Sequence, residues 1–306
     1  MTFAPSGEQF ELRREEQRAV IVEVGAGVRE YTVGGYDVLD PYAEGDMCDG
    51  AHGAPLIPWP NRIGDGRYRF DGAEHQLALS EPAARNAIHG LLRWQCWRAS
   101  EHERERVVMG ARLLPQPGYP FALQVSIAYE LGRDGLTVST TALNIGDRAC
   151  PYGAGQHPYL SAGGAVLDDC LLELPAATRL LADERGLPVG VESVQGGEFD
   201  FRGARALGAQ RLDDAFTDLA RDRAGRAIAR LRRPDGHSVE LWADGHHDFM
   251  QVFTGDTLAP PRRRRGIAVE PMTCAPNAFQ SGHGLAQLDP GGSLGGAWGV
   301  GLATLA

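Results

Sequence analysis

The chain contains no lysine; all 30 of its basic residues are arginine. Genomic codon bias accounts for this, and the abundant alanine and glycine fit the same cause. Cysteine is scarce as well. Cys48, Cys96, Cys150, Cys170 and Cys274 are scattered and odd in number, and no two stand at CxxC spacing. That excludes a zinc knuckle and a redox dithiol and makes reduced thiols the expected state. Basic charge is outweighed, with a formal net charge of −10, which argues against a nucleic-acid partner because phosphate binding needs a basic surface. No apolar run approaches the roughly 18 residues of a membrane span. The opening "MTFAPSGEQFELRREEQ" has no apolar core of a secretory signal. A soluble, cytoplasmic protein is therefore expected. Helical periodicity is also rare: Ala204 to Gln210 and the neighbourhood of Leu212 are the best candidates, and both are too short to form a layer.

What is present is turn punctuation and alternation. Asp-Gly pairs begin at Asp49, Asp65, Asp71, Asp134, Asp235 and Asp244, and Asp-Gly suits the positive φ angles of tight hairpins. Around Asp134-Gly135, Val125, Ile127, Tyr129 and Leu131 lead in and Leu136 and Val138 lead out. Period-two spacing on both sides of a turn means two half-buried antiparallel strands. "RYRF" and "EHQLAL" flank Asp71-Gly72 in the same way, as do "AIARLRR" and "SVELWAD" around Asp235-Gly236. Further strands are predicted over "RAVIVEV", "EYTVGGYDVL", "RVVMGARLL", "CLLELPA", "FMQVFT" and "GIAVEP". No repeat, low-complexity tract or linker divides the chain. With 306 residues, 43% of them hydrophobic, an all-β fold is expected: one large antiparallel β-sandwich domain over residues 1–306.

Several motifs mislead. "GGSLG" (291–295) has the G-x-S-x-G form, but the last histidine, His283, precedes Ser293 and no helix follows. It reads as a glycine-rich turn. The "GAG" at 153–155 never completes GxGxxG before a helix. His246 and His247 are adjacent, so on a strand they point to opposite faces and do not chelate one metal. "RRRR" at 262–265 reads first as a charged loop rim, and second as a clamp for an anionic substrate group.

Five segments remain: "WPNRIGDG", "NAIHGLLRWQCW", "GAGQHPYL", "LDDAF" and "GIAVEPMTCAPNAF". They carry Arg62, His89, His157, Asp213 and Glu270, with Trp59, Trp94 and Trp97 nearby. His157 and Glu270 each precede a proline, which pushes both residues toward extended backbone. Glu270 ends the apolar run "IAVEP", where a carboxylate without a purpose is costly to bury. Taken singly, each of these residues reads first as structural, and none carries a catalytic role.

Together and in this order, the segments resemble the aldose 1-epimerase (galactose mutarotase) family across almost the whole chain. "NRI" followed by the "YRFDG" hairpin is similar to its arginine motif, and "HGLLRWQCW" to its His-Gly segment. "QHPYL" is similar to the segment of the general acid, where many members have Asn-His-x-Tyr-Phe. "LDDAF" matches its Asp-x-x-Phe pattern, "AVEPMTCAPNAF" its Glu-Pro segment, and "LDPGGS" its closing turn. The departures resemble a divergent bacterial branch.

The resemblance implies a galactose mutarotase-like supersandwich with a sugar in an open cleft, and neither metal nor cofactor. It implies Glu270 as the base on the C1 hydroxyl and His157 as the acid at the ring oxygen. His89, Arg62 and Asp213 are then substrate-binding residues, joined by Asn61 and by Trp59, which is expected to line the cleft. Trp97 is expected in the core. Three alternatives stand beside this reading: a mutarotase for a phosphorylated or other anionic sugar, a carbohydrate-binding protein without catalysis, and glycosidic cleavage by Asp213 and Glu270. The sugar and the oligomeric state are not readable from the sequence.

Overall fold

A computed structural model describes residues 4–304. Two large antiparallel sheets dominate it. The first runs in the order Gln9–Arg14, Gln17–Val22, Val28–Val33, Tyr36–Leu39, Tyr159–Ser161, Gly266–Met272, Phe249–Phe253, Asp213–Leu219, Ala176–Ala182, Pro188–Ser193. Two short strands, Gly155–Gln156 and Pro55–Leu56, extend it beside Gly266–Met272. The second runs Arg98–His102, Arg106–Leu113, Leu123–Gly132, Gly135–Asn144, Ser293–Thr304, His237–Ala243, Ala227–Arg232, Leu171–Glu173, Arg205–Ala206.

The alternation in the sequence builds these sheets directly. Val125, Ile127 and Tyr129 pair with Ala142, Thr140 and Val138; the three lead-in residues are fully buried while Gln124 and Glu130 are exposed. Asp71 and Gly72 both have positive φ, 48° and 77°, as a two-residue type I′ turn requires between Arg67–Phe70 and Ala73–Gln76. The predicted hairpin around Asp235-Gly236 joins Ala227–Arg232 to His237–Ala243.

The core lies between the sheets. Leu12, Ile21, Tyr31 and Val38 of the first sheet share one buried cluster with Val125, Ile127, Tyr129 and Val138 of the second. This cluster draws side chains from Phe10 through Val300. Tyr129 ties the layers together: its hydroxyl donates to the Ala26 carbonyl and accepts from Gln156 Nε2 at 3.2 Å.

Two expectations need correction. Ala204 to Gln210 forms no helix; it holds the edge strand Arg205–Ala206. Among the described residues the one α-helix is Ala278–Ser281, four residues long. "GGSLG" is a turn only at Gly291 and Gly292, because Ser293 opens the twelve-residue strand at the centre of the second sheet. Glycine there serves close packing: a Cβ on Gly299 would lie 2.5 Å from the Trp242 indole nitrogen. All five cysteines are free. Among the described residues no helix is long and apolar enough to cross a membrane.

Candidate active site

The strand Gly266–Met272 is buried along its whole length. Successive side chains on a strand point to opposite faces. Ile267 and Val269 join the core between the sheets, so Ala268, Glu270 and Met272 face the other way. On the neighbouring strand Gln251 is in register with Glu270 and Phe253 with Ala268. Asp213 is in turn opposite Phe253. One sheet face therefore carries Glu270, Gln251 and Asp213; Glu270 and Asp213 line an open cleft of about 400 Å³, walled by the loops around residues 47–51, 61–62, 80–81 and 88–94, and Gln251 lies buried beside them.

His157 stands in the short break between Gly155–Gln156 and Tyr159–Ser161. Its backbone is held on both sides: its N–H donates to the Ala54 carbonyl at 3.0 Å, and its carbonyl accepts from Gly53 N–H at 2.9 Å. The imidazole Nε2 lies 3.1 Å from Glu270 Oε1, and the two side chains are only 6% and 2% exposed. The His89 ring packs edge-on to His157, with centroids 5.3 Å apart. His89 and Asn61 both adopt left-handed backbone, with φ 63° and 52°, and His89 N–H donates to the Asn61 carbonyl at 2.9 Å. This tight pairing turns both residues into the cleft.

Arg62 is braced rather than free. Its Nε and Nη2 donate to the two Glu81 carboxylate oxygens at 3.0 and 3.1 Å, and Nη2 lies 3.5 Å from Asp213 Oδ2. Asp213 Oδ1 accepts from Gln251 Nε2 at 2.7 Å. A planar guanidinium held by two carboxylates has a fixed direction, which is what hydroxyl recognition needs.

Burial dominates the electrostatics. It pushes the Glu270 carboxyl well above the usual range; Asp213 adds to the rise and Arg62 opposes it. Burial pushes His157 down to about 3, and the neighbouring His52 lowers it further. His89 is driven well below its ordinary value, by burial first and by His157 second. Neutral forms are favoured at both members of the pair, so Glu270 holds a proton on its hydrogen bond to His157. Glu270 Oε2, His157 Nδ1 and His89 Nδ1 are buried without a hydrogen-bond partner in the protein. Buried polar atoms of this kind are costly unless something else satisfies them.

Of the residues singled out from sequence, Glu270, His157, His89, Arg62, Asn61 and Asp213 line this one cleft. Trp59 does not. It is 2% exposed and packs edge-on against Phe279 at 5.5 Å within the main core, because the chain turns at Asn61 and sends the indole inward. Trp97 is buried, its indole N–H donating to the Leu92 carbonyl at 3.1 Å. Trp94 is half exposed on the cleft wall. Arg262 to Arg265 are not on the cleft wall. Arg262 and Arg265 reach Asp40, Arg264 reaches Asp168 and Asp256, and Arg263 donates to the Leu258 carbonyl. His246 and His247 both contact Asp244.

The sequence reading missed Glu81, Tyr159 and Arg93 in the cleft, and Gln251 behind Asp213. Gln251 left a signal, being the one polar residue in "FMQVF". Glu81 left none, since its role comes only from a contact 19 residues back. A larger groove of about 700 Å³ lies beside the Asp71-Gly72 hairpin, near Tyr68, His75 and Phe279. It contains neither Glu270 nor His157, which meet in the smaller cleft.

Comparisons with known proteins agree with this geometry. Residues 8–297 match the family profile described as Aldose 1-epimerase. The chain is 38% identical to the uncharacterized protein YihR of Escherichia coli K12 over 287 residues, covering 94% of this chain and 90% of that one. It is 29% identical to human galactose mutarotase over 298 residues, covering 87% and 84%. The solved structure of the GalM/aldose epimerase homologue of C. elegans superposes with a TM-score of 0.87 at 17% identity, covering 98% and 99% of the two chains. The fold is thus galactose mutarotase-like. With a profile match over nearly its whole length and a relative of this identity and coverage, the chain belongs to the aldose 1-epimerase family of carbohydrate isomerases.

Proposed function

We propose that this protein interconverts the α and β anomers of a free hexose, with Glu270 and His157 as its acid–base pair. The reading rests on one observation: a carboxyl and an imidazole meet at 3.1 Å on the floor of an open cleft, and the second polar atom of each lacks a partner.

Mutarotation needs a proton removed from the C1 hydroxyl and a proton delivered to the ring oxygen. The C1–ring oxygen bond then breaks to give an aldehyde, the C1–C2 bond rotates, and the ring recloses with the roles reversed. In the reacting form the shared proton sits on His157, and Glu270 is the carboxylate. Glu270 takes the C1 hydroxyl proton while His157 protonates the ring oxygen. On closure Glu270 returns its proton to the carbonyl oxygen, and His157 takes one from the C5 hydroxyl. The pair ends as it began and consumes no proton. Each well-placed acid or base contributes about 10²–10⁴ in rate. Arg62, His89, Asn61 and Asp213 hold the sugar hydroxyls, with Gln251 and Glu81 fixing the direction of Asp213 and Arg62. Localisation in the cytoplasm and a single domain spanning the chain belong to the same proposal.

Polarimetry on freshly dissolved α-glucose and α-galactose tests it. The wild type accelerates the drift to equilibrium and Glu270→Gln does not. Sugar binding without acceleration by the wild type would instead mark a carbohydrate-binding protein.

A second reading, an anionic hexose as substrate, has one observation in its favour. Arg93 lines the cleft and makes no ion pair or side-chain hydrogen bond among the described residues. Under that reading Arg93→Gln raises KM for a phosphorylated hexose and leaves KM for the neutral sugar unchanged.

A further inference from the structure

A second buried histidine–carboxylate pair lies behind the first. His52 and Asp40 are each 2% exposed, with His52 Nε2 3.1 Å from Asp40 Oδ2. The other ring nitrogen, Nδ1, lies 2.6 Å from the Asp49 carbonyl oxygen. A carbonyl can only accept, so Nδ1 carries a hydrogen. Asp40 also meets the guanidiniums of Arg265 at 3.2 Å and Arg262 at 3.5 Å, so its carboxylate oxygens face donors only. A carboxylate can only accept as well, so Nε2 also carries a hydrogen. Both hydrogen bonds are satisfied together only if His52 is an imidazolium.

The His52 ring is coupled to the cleft by stacking. It lies 3.8 Å from the Tyr159 ring, with the planes 4° apart. Tyr159 stacks in turn on His157 at 4.9 Å and 17°. The phenol is anchored, since its hydroxyl donates to the Gly50 carbonyl at 2.8 Å. The other charged or titratable groups around His157 are Glu270, His89, Arg62 and Arg93. Those around His52 are Asp40, Arg262, Arg265 and Cys48, whose thiol donates to the His52 carbonyl.

We propose that His52 is a positioning residue for the acid–base pair: held as an imidazolium by Asp40 and the Asp49 carbonyl, it fixes His157 through the Tyr159 stack and sets a positive charge behind it, so that His157 passes its proton readily to the ring oxygen. The Arg262 to Arg265 segment gains a role in this arrangement. Two of its arginines pair with Asp40 instead of lining the cleft. The proposal rests on the acid–base reading of His157, but its test does not depend on turnover.

Nitrogen-15 NMR of ring-labelled histidine in the whole protein reads both residues, with His157→Asn and His52→Gln identifying their signals. Both His52 nitrogens are expected to be protonated at neutral pH; a neutral tautomer in the wild type overturns the proposal. His52→Gln keeps a donor and an acceptor but removes the charge. In that variant the protonation midpoint of His157 rises by about one pH unit, the scale of a charge–charge interaction inside a protein. The acid limb of kcat/KM moves up by the same amount. A His157 midpoint that does not move overturns the proposal. If no sugar is turned over by the wild type, the acid–base function fails separately and the nitrogen spectra still decide the role of His52.

Discussion

The two sheets bury their strands differently. In the second sheet Leu123–Gly132 alternates, with every odd-numbered residue buried and every even-numbered one more open. Its inner face packs the core and its outer face meets solvent. In the first sheet Gly266–Met272 is buried at all seven positions, and Phe249–Phe253 at four of five. Those strands have the core on one side and the cleft on the other, and the cleft side carries the polar groups. A strand open to solvent on one face keeps its alternation; a strand covered on both faces loses it.

The difference can be broken from either side. The largest effect is expected at Glu270: Glu270→Gln lowers kcat by about 10²–10⁴, seen by polarimetry, while the thermal transition stays sharp. Ile127 in the second sheet is equally buried and should do the opposite. Ile127→Ala costs about 2–5 kcal/mol of stability by denaturant titration, and the molecules that remain folded turn over normally.

A smaller, pH-dependent effect separates the two kinds of burial. His157 is held down to about 3 in the folded protein, below its ordinary value of about 6.5. The native state therefore binds fewer protons than the unfolded state between those values, and stability falls as pH drops through that window. The limiting slope is about 1.4 kcal/mol per pH unit. His157→Asn removes this contribution, so its stability advantage over the wild type grows on acidification. Glu270, raised by burial, acts in the other direction: its contribution is present at acid pH and lost as pH rises through its folded value. The smallest effect belongs to the outer face of the second sheet. Arg230 bridges Glu173 and Glu240 there at 2.8 and 2.9 Å, and Arg230→Ala should cost no more than about 1 kcal/mol, as partly exposed ion pairs do.

Much of the scaffold was legible because its rules are local. Asp-Gly at Asp71 and Asp235 marks turns whose flanking residues already alternate, so pairing partners follow from the sequence. Glu270 and His157 were legible for the opposite reason, as polar residues where local rules expect none. Trp59 failed because proximity in sequence to Arg62 says nothing about direction once the chain turns at Asn61. The arginine run reads as a charged rim rather than a clamp, but its partners Asp40 and Asp168 lie far away along the chain, and no local pattern records them. The short helix Ala278–Ser281 completes barely one turn, too little for a period to show.

The cleft draws on residues 61–62, 89, 157, 213 and 270, on strands and loops that meet only when the first sheet is assembled. No fragment of the chain contains a working part of it. Enzymatic rate after dilution from denaturant is therefore a reporter of the last non-local pairing to form, and non-local pairings are the slow ones. Recovery of activity should lag behind recovery of backbone structure, and catalysis becomes the most stringent assay that this sheet has been completed.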